Sequence, residues 1–190
     1  MKTNAVTFLK GKRLYLRPLE AEDLDRCRLW INDPDLRRYI LRQFPMDALN
    51  ELRWHETRDR TSAPQDISLA IVLKKGDRHI GNMGLHRIDW INRNATTGAI
   101  IGEADCREKG YGAEAKELLL AYAFDTLGLH RISSNVLSTN PRSLAYLKKS
   151  GYREEGVLRE HIFRDGRWID DIQLGLLADE WHARRKSITR

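Results

Sequence analysis

A chain of 190 residues, 41% hydrophobic and 32% charged, has the size and balance of a single globular domain, and no apolar run nears the ~20 residues of a membrane helix. The formal charge of +6 does not point to nucleic acid, because Arg184, Arg185, Lys186 and Arg190 place four cations in the last seven residues and the aromatic residues do not interleave with a basic stripe. Met1-Lys2-Thr3-Asn4-Ala5-Val6 lacks the apolar core of a secretory signal, and Cys27 and Cys106 offer neither a disulfide framework nor a metal spacing, so a cytoplasmic protein that needs no metal is expected.

Lys12 to Leu19 alternates, Leu14 and Leu16 against Tyr15 and Arg17, and predicts a strand ending at Pro18. Glu20 to Ile31 carries Leu24, Cys27, Leu29, Trp30 and Ile31 on a helical period, stopped by Asn32-Asp33-Pro34. A short turn or helix follows over Asp35 to Ile40. Asp47 is placed to cap a helix reaching about Arg60, which Thr61-Ser62-Ala63-Pro64 breaks. Ile67 to Leu73 reads as a strand, and Lys75-Gly76-Asp77 turns it into His79 to His86 as a hairpin. Asn92-Arg93-Asn94 turns into a further strand over Thr97 to Glu103, so three adjacent antiparallel strands are expected here. A helix from about Gly112 to Thr126 and a strand over His130 to Leu137 come next. Asn140-Pro141 opens a helix through about Ser150, with Gly151 at its end. Tyr152 to Phe163 and Trp168 to Leu177 form strands about Arg164-Asp165-Gly166, and a short helix over Ala178 to Arg184 closes the chain. The order predicts an α/β fold with a mixed, mostly antiparallel sheet of about seven strands and flanking helices. One domain over 1–190 is expected, with a core over about 12–181 and a basic, solvated tail over 182–190.

Arg107-Glu108-Lys109-Gly110-Tyr111-Gly112-Ala113 stands between the strand-like Gly98 to Glu103 and the apolar Leu118 to Phe124. A strand, a glycine turn and a helix start make a phosphate cradle. The glycines let the backbone approach an anion, and the helix N-terminus aims N–H groups and a positive dipole end at it. Arg107 and Lys109 add charge. Alone, a Gly-x-Gly before a helix is often only a tight turn. It is not a Walker loop, since no Gly-Lys-Ser/Thr follows, and it lacks the third glycine of the dinucleotide fingerprint.

These motifs do not stand alone. Leu129-His130-Arg131 precedes a strand, Asn140 to Tyr152 runs Asn-Pro-Arg-Ser-Leu-Ala-Tyr-Leu-Lys-Lys-Ser-Gly-Tyr, and Glu155 to Glu160 and Asp165-Gly166-Arg167-Trp168 flank the last turn. With Asn32-Asp33-Pro34 and the glycine loop, this order resembles the GNAT superfamily of acyl-CoA-dependent N-acetyltransferases from Lys12 to Trp181. The nearest branch is the one that includes ribosomal-protein N-terminal acetyltransferases and spermidine acetyltransferases. The resemblance implies acetyl-CoA as co-substrate, with its pyrophosphate on the amides from Lys109 to Ala113, including Gly110, Tyr111 and Gly112. It also implies splayed central strands, with backbone groups of Ile100, Ile101 and Gly102 bonding the pantetheine arm as an added strand. An amide aimed at the thioester oxygen would stabilise the oxyanion.

In the same resemblance Asn140 bonds the pantetheine arm, Ser143 belongs to the co-substrate set, and Tyr146 protonates the leaving thiolate. A phenol of pKa ~10 is protonated at neutral pH and can serve that role. By residue type alone Asn140 also reads as a helix cap, and Tyr146 as a core residue beside Leu144 and Leu147. Glu103 is the first choice of base, direct or through water, with His86 as substitute and His130 as structural. Relatives carry an acid where this chain has Thr96 in Ala95-Thr96-Thr97-Gly98, so the base role does not transfer directly. Asp170 and Asp171 can meet a cationic substrate, or be surface charge.

The expected reaction moves an acetyl group to a primary amine, on a protein N-terminus or a small molecule, by direct attack in a ternary complex. A monomer or homodimer is expected. The region Leu29 to Trp54 and the last hairpin should form the acceptor side, and the mixed charges of Asp33, Asp35, Arg37, Arg38 and Arg42 select no acceptor class. An acetyl-CoA sensor without turnover and a ribosome- or RNA-associated factor using the basic tail are the competing functions.

Overall fold

The computed structural model describes residues 6–56 and 63–188, which carry eight strands and six α-helices in a mixed α/β fold. They group into two units, residues 1–86 with 98–120 and residues 87–97 with 121–190. Among the described residues no helix is long and apolar enough to cross a membrane. The expected helix extension to Arg60, its break at Thr61-Ser62, the first five residues, Thr189 and Arg190 lie outside the described residues.

In the first unit β1 (Leu9–Lys10), β2 (Leu14–Pro18), β3 (Ile67–Leu73) and β4 (Arg78–Asp89), the last up to His86, are neighbours in that order, each pair antiparallel. The two-residue β1 is the strand that the alternation does not reveal. β3 is apolar except for Ser68 because its five middle residues are all buried. α1 (Leu24–Asn32) places Cys27 and Trp30 in a cluster with Tyr15, Leu19, Ala70 and Val72, against which Ile100 packs. Asp33 ends α1 in an extended conformation. Its carboxylate accepts the Asp35 N–H (2.8 Å) and opens α2 (Pro34–Arg37) with Pro34 at the first position. Asp47 caps α3 (Ala48–Glu56) as expected, accepting the Asn50 N–H at 2.8 Å.

β5 (Asn94–Ile101) has residues 94–97 in the second unit and 98–101 in the first, and in the second unit its start, β6 (Arg131–Leu137), β8 (Arg167–Leu177) and β7 (Arg153–Arg164) are neighbours in that order. β6–β8 and β7–β8 are antiparallel and β5–β6 is parallel. The parallel register pairs Asn94 with Arg131 through Thr96 with Ser133 and stops there, although β5 runs on to Ile101 and β6 to Leu137. β5 starts and ends earlier than the expected Thr97 to Glu103, because the N–H groups of Gly102 and Glu103 both turn to the Ile80 carbonyl (2.9 and 3.2 Å).

The expected helix from Gly112 to Thr126 is α4 (Tyr111–Ala121) followed by a π-helical turn over Tyr122–Thr126. α5 (Pro141–Lys149) has Pro141 first, the Asn140 side chain accepting the Ser143 N–H (3.1 Å), and Gly151 at φ +98°. α6 (Ala178–Ile188) runs past the expected Arg184 and corrects the reading of a wholly solvated tail. Arg185 pairs with Asp125 at 3.1 Å and lies 4.6 Å over the Trp181 ring, and Arg184 donates to the Lys149 carbonyl at 3.3 Å. The cations are held by packing and carbonyls that sequence charge counts do not reveal.

Candidate functional site

The end of β5 is shaped by glycine and tryptophan. Gly102 is bare because Trp30 of α1 lies against it, so that a Cβ there would be driven into the indole ring. Gly81 of β4 is bare for the same reason, since its Cβ would meet the Ile100 carbonyl. The Trp30 indole N–H donates to the Glu103 carboxylate (3.2 Å), and the ring stands edge-on to His79, centroids 4.8 Å apart. Gly102 thus has its N–H on Ile80 while its carbonyl accepts from Arg107.

Arg107 is anchored to the strand. Its guanidinium turns back, donating from Nε to the Ile101 carbonyl (3.2 Å) and from Nη2 to the Gly102 carbonyl (2.7 Å), with Asp33 at 3.7 Å. Carbonyls are its nearest acceptors, so Arg107 braces the strand end. Each of these carbonyls keeps a second lone pair.

The loop itself has the expected form. Glu108 and Gly110 both take positive φ, +63° and +77°, and Gly110 is the position where the left-handed turn favours glycine. Gly112 instead lies in the first turn of α4, and the Glu114 N–H returns to the Gly110 carbonyl at 3.1 Å. Lys109 and Gly110 are exposed, and Tyr111 and Ala113 are half-buried. A residue that the motif does not contain stands beside them. Arg13, from the turn between β1 and β2, donates to Glu114 and to the Lys109 carbonyl and lies over the Tyr111 ring.

Glu103 is the centre of an ion cluster. Arg78 bonds its carboxylate and also Asp105 (2.7 Å), and Arg26 stands 3.6 Å away. Burial would raise its pKa, but Arg78 and the Trp30 N–H outweigh burial and hold it below the usual carboxylate range. His86 pairs through Nδ1 with Asp66 (2.9 Å) and lies against Gly84 and Gly98. A His with one nitrogen on a carboxylate has its tautomer and ring orientation set by that bond.

In the second unit Tyr146 is half-buried on α5, one turn before Ser150, whose N–H and hydroxyl return to the Tyr146 carbonyl (3.0 and 3.1 Å). The Asn140 oxygen caps α5 through Ser143, which leaves the amide NH₂ as its donor end. Thr97, beside the missing acid at Thr96, shares a 3.0 Å hydrogen bond with the Tyr152 hydroxyl. Of the two acids of the last hairpin, Asp171 is not surface charge and Asp170 is half-buried. Asp170 accepts the Glu160 N–H (2.8 Å), and Asp171 is buried between the amides of Asn135 (3.0 Å) and Gln173 (2.9 Å). His130 ties turns together through its backbone, its N–H to the Arg93 carbonyl (2.7 Å) and its carbonyl from Ala178 (2.9 Å). Among the described residues no three His, Cys, Asp or Glu side chains gather as a metal site.

Arg13, Trp30, Asp33 and Arg78 escape sequence reading at this site, because each acts on a partner far along the chain. For Asn32-Asp33-Pro34 the only local signal is a helix stop.

The acetyltransferase (GNAT) domain family matches residues 13–153. The N-acetyltransferase p20 of Bacillus licheniformis is 32% identical over 181 residues, covering 91% of this chain and 97% of its own. The spermidine N(1)-acetyltransferase of Vibrio cholerae is 27% identical over 177 residues, covering 90% of this chain and 96% of its own. The crystal structure of the spermidine N-acetyltransferase of Vibrio cholerae in complex with CoA and spermine aligns with a TM-score of 0.78 at 26% identity, over 90% of this chain and 98% of that one. With the family matched across the glycine loop, the end of β5 and α5, the chain belongs to the GNAT acetyltransferases and is an N-acetyltransferase.

Proposed function

We propose that the chain takes acetyl-CoA at Arg107 to Ala113 and the end of β5, and acetylates a primary amine on a small molecule or a protein N-terminus. The observation that carries the reading is the exposed left-handed loop at Gly110, joined to the start of α4 and preceded by the strand end whose Ile101 and Gly102 carbonyls Arg107 holds. These residues fit a polyanionic ligand with an extended amide arm. Glycine permits close approach, the helix start offers N–H groups, and the Ile101 and Gly102 carbonyls have lone pairs left to accept. Acetyl-CoA supplies the activated acyl group. The acceptor nitrogen attacks, a C–N bond forms, the C–S bond breaks, and Tyr146 gives its phenolic proton to the departing sulfur. Asn140 bonds the pantetheine arm through the donor end that its cap leaves over, and Ser143 keeps that end aligned.

The acceptor must lose a proton before it attacks. Glu103 is an anion fixed by Arg78 with weakened proton affinity, so its part is to hold the strand end through Trp30 and Arg78. Proton acceptance falls to His86, oriented by Asp66, which reverses the order of preference that the residue types suggest. No step calls for a metal, and a reducing cytoplasm suits the free thiols of Cys27 and Cys106. Asp33 and Asp35 against Arg37, Arg38 and Arg42 make an acceptor side of mixed sign, which suits a single amine better than a polycation.

The test is a panel of spermidine, an amino sugar, an amino acid and free-N-terminus peptides with acetyl-CoA, read as thiol release and acetyl mass gain. Turnover with one acceptor class above background hydrolysis is expected. Tight acetyl-CoA binding without turnover on any amine would leave the sensor reading in its place.

A further inference from the structure

The turn between β1 and β2 delivers a cation to the glycine loop. The Arg13 backbone N–H donates to Glu114 Oε1 (2.7 Å), Nε to Glu114 Oε2 (2.7 Å) and Nη1 to the Lys109 carbonyl (2.9 Å). The guanidinium carbon lies 4.6 Å from the centre of the Tyr111 ring. These anchors hold a side chain that is still 46% exposed. Nη2 has no acceptor among the described residues. It is the heavy atom nearest to where a Cβ on Gly110 would stand, at 3.4 Å. The unused donor therefore borders the face that glycine keeps open.

Glu114 makes this cation necessary. Burial would raise its pKa, but the Arg13 N–H groups outweigh burial and hold it below the usual range, so it is a carboxylate at neutral pH. An acid in the first turn suits the helix dipole but repels an anion bound at the same helix start. Arg13 cancels that charge. The motif's own arginine, Arg107, is turned toward carbonyls of the strand.

We propose that Arg13 is a phosphate-binding residue of the co-substrate loop, with Nη2 donating to a phosphate oxygen while Nε and Nη1 lock the guanidinium against Glu114 and Lys109. The inference rests on the placement of acetyl-CoA at Arg107 to Ala113. The chemistry recognised is a phosphate-ester oxyanion, which coenzyme A carries in its pyrophosphate and in its 3′-phosphate.

The test measures affinity and steady-state rates with acetyl-CoA and with 3′-dephospho-acetyl-CoA, for wild type, Arg13→Ala, Arg13→Gln and Glu114→Gln, with melting curves to confirm folding. A charge-assisted hydrogen bond is worth about tenfold or more in affinity. The expected result is a rise of about tenfold in KM for acetyl-CoA in both Arg13 variants, with kcat at saturation unchanged within about twofold. Glu114→Gln loosens the lock on the guanidinium but keeps the cation, an amide oxygen to accept from Nε and the Lys109 carbonyl on Nη1, so its KM should rise clearly less than in the Arg13 variants. An equal rise in KM with both co-substrates assigns Arg13 to the pyrophosphate, and a rise confined to acetyl-CoA assigns it to the 3′-phosphate. Unchanged KM in folded Arg13→Gln, or equal weakening by Arg13→Gln and Glu114→Gln, would overturn the inference and leave the pair a structural tie. Wild type that binds neither co-substrate would overturn the placement of acetyl-CoA itself.

Discussion

Tyr146 stands half-buried on α5, and its hydroxyl is the chemical difference that a phenylalanine removes while keeping the ring. If the phenol protonates the departing sulfur, Tyr146→Phe lowers kcat by about 10²–10⁴-fold with little change in acetyl-CoA KM or melting temperature. Near-wild-type turnover with chemistry rate-limiting would return Tyr146 to a packing role. The two proton acceptors separate by substitution. Glu103 is held as an anion by Arg78 and the Trp30 N–H, whereas His86 is oriented by Asp66. If His86 is the base, His86→Gln should lower kcat by about 10²-fold or more, with little change in acetyl-CoA KM, and Glu103→Gln should lower it far less. The opposite pattern would give the base role to Glu103.

At the scale of the element, α1 and the end of β5 are one mechanical piece. Trp30 fills the space over Gly102 and bonds Glu103, while Asp33 stands by Arg107, which holds the Ile101 and Gly102 carbonyls. Gly102→Ala forces Trp30 away and should cost about 1–3 kcal/mol of stability by overpacking. The displaced strand end should also raise acetyl-CoA KM several-fold. Urea denaturation and initial rates check both effects. A stable Gly102→Ala with unchanged KM would show that the indole yields without moving the strand. Gly110→Val, which is disfavoured at φ +77°, should weaken acetyl-CoA binding while the core of β2, β3 and β4 stays folded.

For the molecule as a whole, one buried acid links stability to pH. Asp23 accepts both Nη groups of Arg17 (2.6 and 2.7 Å) and the Glu20 N–H (2.9 Å), with His79 Nδ1 at 3.1 Å. Burial would raise its pKa, yet Arg17 and His79 hold it well below the usual carboxylate range. A folded pKa below the unfolded one stabilises fully above the unfolded value, near pH 4, and this stability is lost as pH falls toward the folded value. Denaturation midpoints should therefore be insensitive to this group from neutral pH to about pH 5 and decline below about pH 4. Arg17→Gln leaves a buried acid without its partner and should cost about 3–5 kcal/mol at neutral pH. That variant should lose less on acidification, because Asp23 then protonates sooner. Equal acid sensitivity in both proteins would show that other carboxylates set the decline.

Local chemistry was readable from the residues. Asp47, Asn140-Pro141 and Gly151 marked helix ends because a cap satisfies backbone groups within three or four positions. The alternation in β2 and the apolar run of β3 marked strands, although consecutive residues are buried in both, so that Tyr15 and Arg17 are inside with Leu14 and Leu16. The glycine loop and α5 stood out because their residues keep fixed spacings. β1 was missed because two residues carry no period, and α4 was overrun because a π-helical turn keeps the same apolar spacing. The sequence by itself thus determined the elements, the glycine loop and the acetyltransferase family. Only the tertiary structure decided what the charged residues do: Arg107 turned to carbonyls, Glu103 held by Arg78, Asp171 buried among amides, and Arg13 brought to the loop across 101 positions from Glu114. The physical reason is range. Caps and periodicity act within a turn or two, whereas the partner of a long charged side chain is set by which distant backbone packs beside it.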